Sequence, residues 1–203
     1  MRSADGNPNW EMRTRRISAL KRLFDIMVAT VLLVLTLPIM LGVAAAILAT
    51  DGSPVFFRQN RMGMHGIPFK LFKFRSMIVT APNVGSYATS DGDPRITRIG
   101  KIIRRTSLDE LPQLINVIRG EMSIVGPRPD VEAQVSGYRP EHWKLRCSVR
   151  PGITGLAQSR LRSNATPEQR LDLDLEYARE PSLLRDLEII FATAIGLFGK
   201  GVN

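Results

Sequence analysis

Residues 26–50, IMVATVLLVLTLPIMLGVAAAILAT, contain no charged side chain. A run this long exceeds the roughly 18–20 apolar residues that cross a bilayer as a helix, so it must enter lipid or fill a sizeable core. A cleaved signal peptide fits poorly, because the run is too long and no small-residue cleavage site precedes a mature domain. Pro38 stands in the middle of the run. Proline removes a backbone hydrogen bond and clashes with the preceding turn, at about 3 kcal/mol in a helix. Thr36 offers a hydroxyl to bond a freed carbonyl one turn back. Both flanks are basic: Arg13, Arg15, Arg16, Lys21 and Arg22 precede the run, and Arg58, Arg61, Lys70, Lys73 and Arg75 follow it. Positive charge favours the cytoplasmic side, so both ends ask for the same side. Each half, about 12 residues, reaches roughly 18 Å as helix, against about 15 Å for half the hydrocarbon core. A helix broken at Pro38 that dips through one leaflet and returns meets both conditions. A kinked spanning helix is the alternative.

The remainder is polar and basic. Lys and Arg total 28 against 19 Asp and Glu, a net charge of +9. A pI near 10.4 points to an anionic partner: nucleic acid, acidic lipid or phosphorylated substrate. The lone cysteine, Cys147, excludes an internal disulfide. His65 and His142 lack Cys or His neighbours at zinc spacing and read as loop or surface residues. The expected division is a flexible basic lead-in over 1–20, a membrane helix over 21–51, and one domain over 52–203.

The expected fold class is α+β, mainly helical. PVFFRQNRMG and FKLFKFRSM read as two short strands around the turn MHGIP. Period-two alternation puts Phe69, Leu71, Lys73 and Arg75 on one face, and Lys70, Phe72 and Phe74 on the other. Residues 80–95, rich in Gly, Asn, Asp, Ser and Pro, read as an active-site or surface loop. Helices are expected over 96–105, 107–119, 167–180 and 183–198. The last carries Leu183, Leu184, Leu187, Ile190, Phe191 and Ala194 at helical spacing, which suits a core helix or one lying in the membrane interface.

KIIRRTSLDELPQLINVIRG (101–120) is the most informative segment. Ser107 followed by Glu110 fits a helix capping box, with Asp109 and Glu110 favoured in a first turn by the helix dipole. Capping leaves the neighbourhood unexplained. Arg104 and Arg105 lie one turn upstream, and Arg128 sits between prolines in GPRP. Arginine forks onto phosphate oxygens, and flanking prolines restrict its backbone. A carboxylate beside such arginines can attack phosphorus, with Mg²⁺ offsetting the charge repulsion. The P-loop, dinucleotide and nucleophile-elbow signatures are absent from the sequence.

From about residue 21 to 201 the chain resembles the bacterial sugar transferase family, the monotopic polyprenyl-phosphate phosphoglycosyl transferases. The resemblance rests on KRLFDIMVA, the run broken at Pro38, PVFFRQNRMG, FKLFKFRSM, DPRITRIGKIIRRTSLDELPQLINVIRGEMSIVGPRP and RPGITGLAQ. It implies that Asp109 is the nucleophile and that Glu110 assists with Mg²⁺ or proton transfer. Arg104 and Arg128 would hold phosphate, and Lys73, Arg75 and Gln158 would contact substrate. It further implies a re-entrant helix broken at Pro38, a small β-hairpin and interfacial amphipathic helices around a site on the cytoplasmic face of the bacterial inner membrane. The implied partners are a UDP-sugar donor, undecaprenyl phosphate as acceptor and anionic membrane lipids, with no nucleic acid; a homodimer is left open. Longer relatives add a four-helix membrane domain, so the chain reads as the minimal catalytic form. Two departures stand out. Leu37 rather than serine precedes Pro38, and SRLRSN follows TGLAQ. The second leaves the sugar undetermined.

Overall fold

A computed structural model describes residues 8–81, 92–161 and 166–199. Residues 1–7 and most of the loop expected over 80–95 lie outside the described residues.

Helix α1, Pro8–Asp51, is the longest element, and Pro38 lies within it. It begins inside the stretch expected to be a flexible lead-in. Thr36 Oγ1 donates to the carbonyl of Leu32 at 2.7 Å. That is Thr36's own carbonyl one turn back; the one freed by proline belongs to Val34. Over Ala19–Asp51 the helix is long and apolar enough to cross a membrane, and only 17% of its most apolar window is buried. That low burial separates it from the core helix of a soluble domain. Val34, Leu35 and Leu41 are each more than 60% exposed.

Both ends of the apolar stretch Ala19–Asp51 are fastened to the same body. Near its start, Lys21 Nζ bonds Asp186 at 2.7 Å and the Val125 carbonyl at 3.3 Å. Arg22 donates to the Val117 and Ile118 carbonyls. Asp25, fully buried, accepts from Ser123 Oγ and the Ile124 amide. Towards its other end, Met40, Val43 and Ile47 pack on Phe74 and Ile103. These apolar contacts supply the adhesion, and the buried hydrogen bonds fix its register.

Strands β1, Phe56–Met62, and β2, Pro68–Phe74, form the expected antiparallel hairpin. Its register pairs Phe57 with Lys73, Gln59 with Leu71 and Arg61 with Phe69, so these six share a face. Arg58, Asn60, Lys70 and Phe72 lie on the other face. Next come α2, Arg98–Arg105, a tight 3-10 turn, Leu108–Glu110, and α3, Gln113–Arg119. One continuous helix over 107–119 does not form.

Strand β3, Ser123–Val125, pairs in parallel with β4, Gly152–Thr154, a pair the sequence analysis did not anticipate. Helix α4, Pro140–Arg146, lies between them in sequence, and α5, Leu156–Arg160, follows. Helices α6, Pro167–Arg179, and α7, Leu183–Gly199, match the expected helical stretches. One face of α7 buries Asp186 and Ile189, while Leu184, Leu187, Phe191 and Ile195 are all more than half exposed. The core centres on Phe69, Leu71, Leu114, Val117, Met122 and Val125, so hairpin, α3 and β3 share one packed interior.

Candidate active site

The two acids sit on the turn after α2. Ser107 has φ +57°, in the left-handed region where non-glycine residues are uncommon. Its side chain makes no capping hydrogen bond, so the capping-box reading fails. An N-cap requires extended backbone, which a left-handed serine does not provide. The Glu110 side chain is engaged from elsewhere.

Lys73 Nζ reaches Glu110 Oε1 at 2.7 Å, and Arg128 Nη2 reaches the same oxygen at 2.8 Å. One cation comes from β2 and the other from the loop after β3. Burial works against the charge on Glu110, but Arg128 and Lys73 together outweigh it and hold the carboxyl at about 2. Burial also lowers the pKa of Lys73, opposed by Glu110. Glu110 is therefore a firmly ionised anchor for two cations.

Asp109 differs from its neighbour. It is 8% exposed, and its carboxylate makes no hydrogen bond or ion pair among the described residues. Burial drives its pKa up, and Glu110 adds to this; Lys73, Arg104 and Arg128 pull it down without winning. A buried, unpaired and comparatively basic carboxylate beside three cations is what nucleophilic attack on a phosphate ester requires. Arg104, on the last turn of α2, is half-buried and near enough for its charge to act on Asp109.

Other expected residues lie elsewhere. Arg75 is 4% exposed, and its Nη2 donates to the carbonyls of Asp51 and Gly52, at 2.8 and 2.7 Å. It ties off the end of α1 and is not brought to Glu110. The alternation that put it beside Lys73 ends with β2 at Phe74. Gln158 sits on α5, its Nε2 buried without a partner among the described residues. Its Oε1 lies 2.7 Å from where a Cβ on Gly155 would stand.

The glycines explain how the GPRP and PGITG segments meet. A Cβ on Gly126 would lie 2.2 Å from the Arg150 carbonyl oxygen, and one on Gly155 would lie 2.2 Å from that of Gly126. The two segments touch backbone to backbone, which only residues lacking Cβ allow.

Several contributors were missed in the sequence. Asn116, fully buried, accepts from the Phe72 amide and donates to the Lys70 carbonyl and Glu121, holding β2 against α3. Arg61, Gln113 and Gly152 join Lys73, Arg128 and Pro129 around a narrow crevice. The strand alternation already placed Arg61 on the Lys73 face once the register was known. Arg146 is buried between Asp130 and Asp174, at 2.6 and 2.9 Å. No local motif marks it, because its partners lie 16 and 28 residues away.

For a divalent ion, the donors present are Asp109, whose carboxylate is unpaired, and Glu110. Among the described residues no cluster of three or more His, Cys, Asp or Glu could hold a metal. Two adjacent carboxylates still suit Mg²⁺, which commonly takes one or two carboxylates and completes its shell with phosphate and water.

The family model described as bacterial sugar transferase matches residues 16–200. The UDP-glucose:undecaprenyl-phosphate glucose-1-phosphate transferase of Escherichia coli K12 is 46% identical over 181 residues, 86% of this chain and 39% of that protein. The protein of the same name from Caulobacter vibrioides is 41% identical over 184 residues, 87% of this chain and 69% of that one. The exopolysaccharide production protein ExoY of Rhizobium meliloti is 41% identical over 189 residues, 85% of this chain and 83% of that protein. The chain thus spans well under half of the first relative and most of the other two. A match running from within α1 through the whole of α7 leaves little of the fold outside it, and the chain belongs to the bacterial sugar transferase family.

Proposed function

We propose that this chain transfers a sugar 1-phosphate from a UDP-sugar to undecaprenyl phosphate, through a phosphosugar ester on Asp109, as the first membrane step of polysaccharide or glycoconjugate synthesis. The observation that carries the reading is the contrast between neighbouring acids: Glu110 is clamped by Lys73 and Arg128, while Asp109 is buried and unpaired among the described residues. The names of the relatives support the donor and acceptor classes and favour glucose as the sugar.

In the first step a carboxylate oxygen of Asp109 attacks the β-phosphorus of the donor. The bond from that phosphorus to the oxygen bridging the α-phosphate breaks, and its electron pair leaves with UMP. In the second step a phosphate oxygen of undecaprenyl phosphate attacks the same phosphorus. The bond to Asp109 breaks, restoring the carboxylate and giving a polyprenyl diphosphate sugar. Splitting the transfer lets a soluble donor and a lipid acceptor use one site in turn. Arg104 and Arg128 orient and neutralise the transferred phosphoryl oxygens, and Lys73 keeps Glu110 in place beside them. Asp109 and Glu110 would hold Mg²⁺ together with substrate phosphate, and the ion would supply charge neutralisation there.

The helix reading follows from its attachments. As a straight rod its 33 apolar-segment residues would run about 50 Å, well beyond the roughly 30 Å hydrocarbon core. One body grips both ends, and one body cannot sit on both sides of a bilayer. These attachments support a reading in which the middle dips in and returns, with the turn at Pro38, and the site faces the cytoplasm at headgroup height, although α1 runs through Pro38 as one helix. There the basic surface meets anionic lipids.

The test is release of UMP from UDP-glucose and UDP-N-acetylhexosamines without acceptor. About one UMP per chain, trapped with labelled sugar phosphate on Asp109, is expected. Label on any other side chain removes the mechanism, as does a ternary requirement for acceptor before UMP appears.

A further inference from the structure

The segment Pro127–Asp130 carries Arg128 out of β3 and has no regular structure, yet all four of its carbonyls are held. That of Pro127 accepts from the Gly152 amide at 2.9 Å. That of Arg128 accepts from Arg146 Nη2 at 2.5 Å, and that of Pro129 from Arg61 Nη1 at 3.1 Å. That of Asp130 accepts from the Met62 amide at 2.9 Å. The segment is gripped from β4, α4 and β1, and two of the four donors are arginine side chains.

Arg61 is the unusual member. No carboxylate lies within ion-pair distance of it among the described residues. Its other bond is to Gln59 Oε1 at 2.8 Å, and its Nε is buried without a partner there. Burial and the nearby charge of Arg128 both act against its proton. Arg146, by contrast, is neutralised by Asp130 and Asp174. A poorly compensated guanidinium beside another cation costs stability, so its placement calls for a return elsewhere. The bond to the Pro129 carbonyl supplies one, because it fixes the Pro129–Asp130 peptide, the second one after Arg128.

We infer that Arg61 is a positioning residue that acts through Arg128: by holding the Pro129 carbonyl it sets the direction from which the Arg128 guanidinium meets the transferred phosphate. Arg146 holds the preceding carbonyl and does the same from the opposite element. The inference rests on the phosphate-binding reading of Arg128. It predicts that Arg61 needs the loop, not the substrate, as its immediate partner.

The experiment is a double-mutant cycle on the full-length chain in nanodiscs, measuring UMP release with donor alone and kcat/KM with acceptor. Arg128→Ala and Arg61→Gln are made singly and together, with thermal melts of each. Arg61→Gln should lower kcat/KM by about 10–100-fold, the cost of misplacing a binding group by an ångström or less. In the Arg128→Ala background the same change should alter it less than about twofold. Effects that multiply instead would mean that Arg61 acts independently of Arg128, and would overturn the inference while leaving the phosphate reading intact. Full activity of Arg61→Gln would also overturn it. Unchanged turnover in Arg128→Ala alone would remove the phosphate reading itself, a separate result. If Arg61→Gln melts below the assay temperature, Arg61→Lys enters the same cycle. It keeps the charge but not the fork, and the same non-multiplying pattern is expected.

Discussion

Lys73 stands 2.7 Å from Glu110, tying the second hairpin strand to the turn that bears both acids. The contact links two elements 37 residues apart, and the adjacent Asp109 carboxylate has no hydrogen-bond or ion-pair partner among the described residues. The strength of the contact depends on pH. The Glu110 carboxyl, normally near 4.5, is held at about 2 in the fold. Between those values the unfolded chain takes up a proton and the folded chain does not. The stability from Glu110 is therefore complete above about pH 4.5, declines as pH falls, and is gone below about pH 2. Denaturant titrations between pH 2 and 6 should show this acid limb, and Glu110→Gln should flatten it. An unchanged limb in that variant would mean that the clamp is not formed.

Asp109→Asn should separate activity from stability. Transfer should fall to background, while the melting temperature rises. Burial disfavours the charge on this carboxylate, and the amide removes the charge at nearly constant shape. For a chain of this size each 1 kcal/mol relieved appears as roughly 2–4 °C in Tm. Differential scanning calorimetry beside a UMP assay reads both. A lower Tm would show that Asp109 has partners in the fold after all.

Arg75→Met should do the reverse. It leaves the carbonyls of Asp51 and Gly52 without their donor, at a cost of about 1–3 kcal/mol. Donor KM should stay within about twofold of wild type once the protein is folded, since the guanidinium is buried against the end of α1. A large rise in KM with an unaltered melting temperature would restore Arg75 to the substrate site.

Single cysteines at Leu20 and Ser53, in a Cys147→Ala background, should both react with a membrane-impermeant maleimide in inverted vesicles, and neither in intact spheroplasts. Both positions flank the apolar helix, and the attachments at Lys21 and Arg75 bring them to one body. Labelling of one from each side would show a crossing helix.

The hairpin was legible in sequence, because alternation over seven residues fixes a strand face. The contact of Arg128 with Glu110 was not, since the two stand 18 residues apart in separate motifs and nothing local pairs them. The apolar helix declared itself by length. The capping box failed because local spacing says nothing about competitors arriving from afar: Lys73 and Arg128 take the Glu110 side chain, and Ser107 turns left-handed. Arg75 misled because alternation was carried one residue past the end of its strand. The β3–β4 pair was invisible, since three-residue strands have no period to detect. Arg146 was missed because its bonds are made across three elements.

The seam between Gly126 and Gly155 bears on how the site can move. Two backbones in direct contact have no side chain between them to change rotamer, so the Arg128 segment and the start of α5 travel as one rigid block. A site that adjusts to what it binds must then do so from the facing side, where Lys73 rides on a two-stranded ribbon. Induced fit here would be a hairpin bending towards an immovable wall.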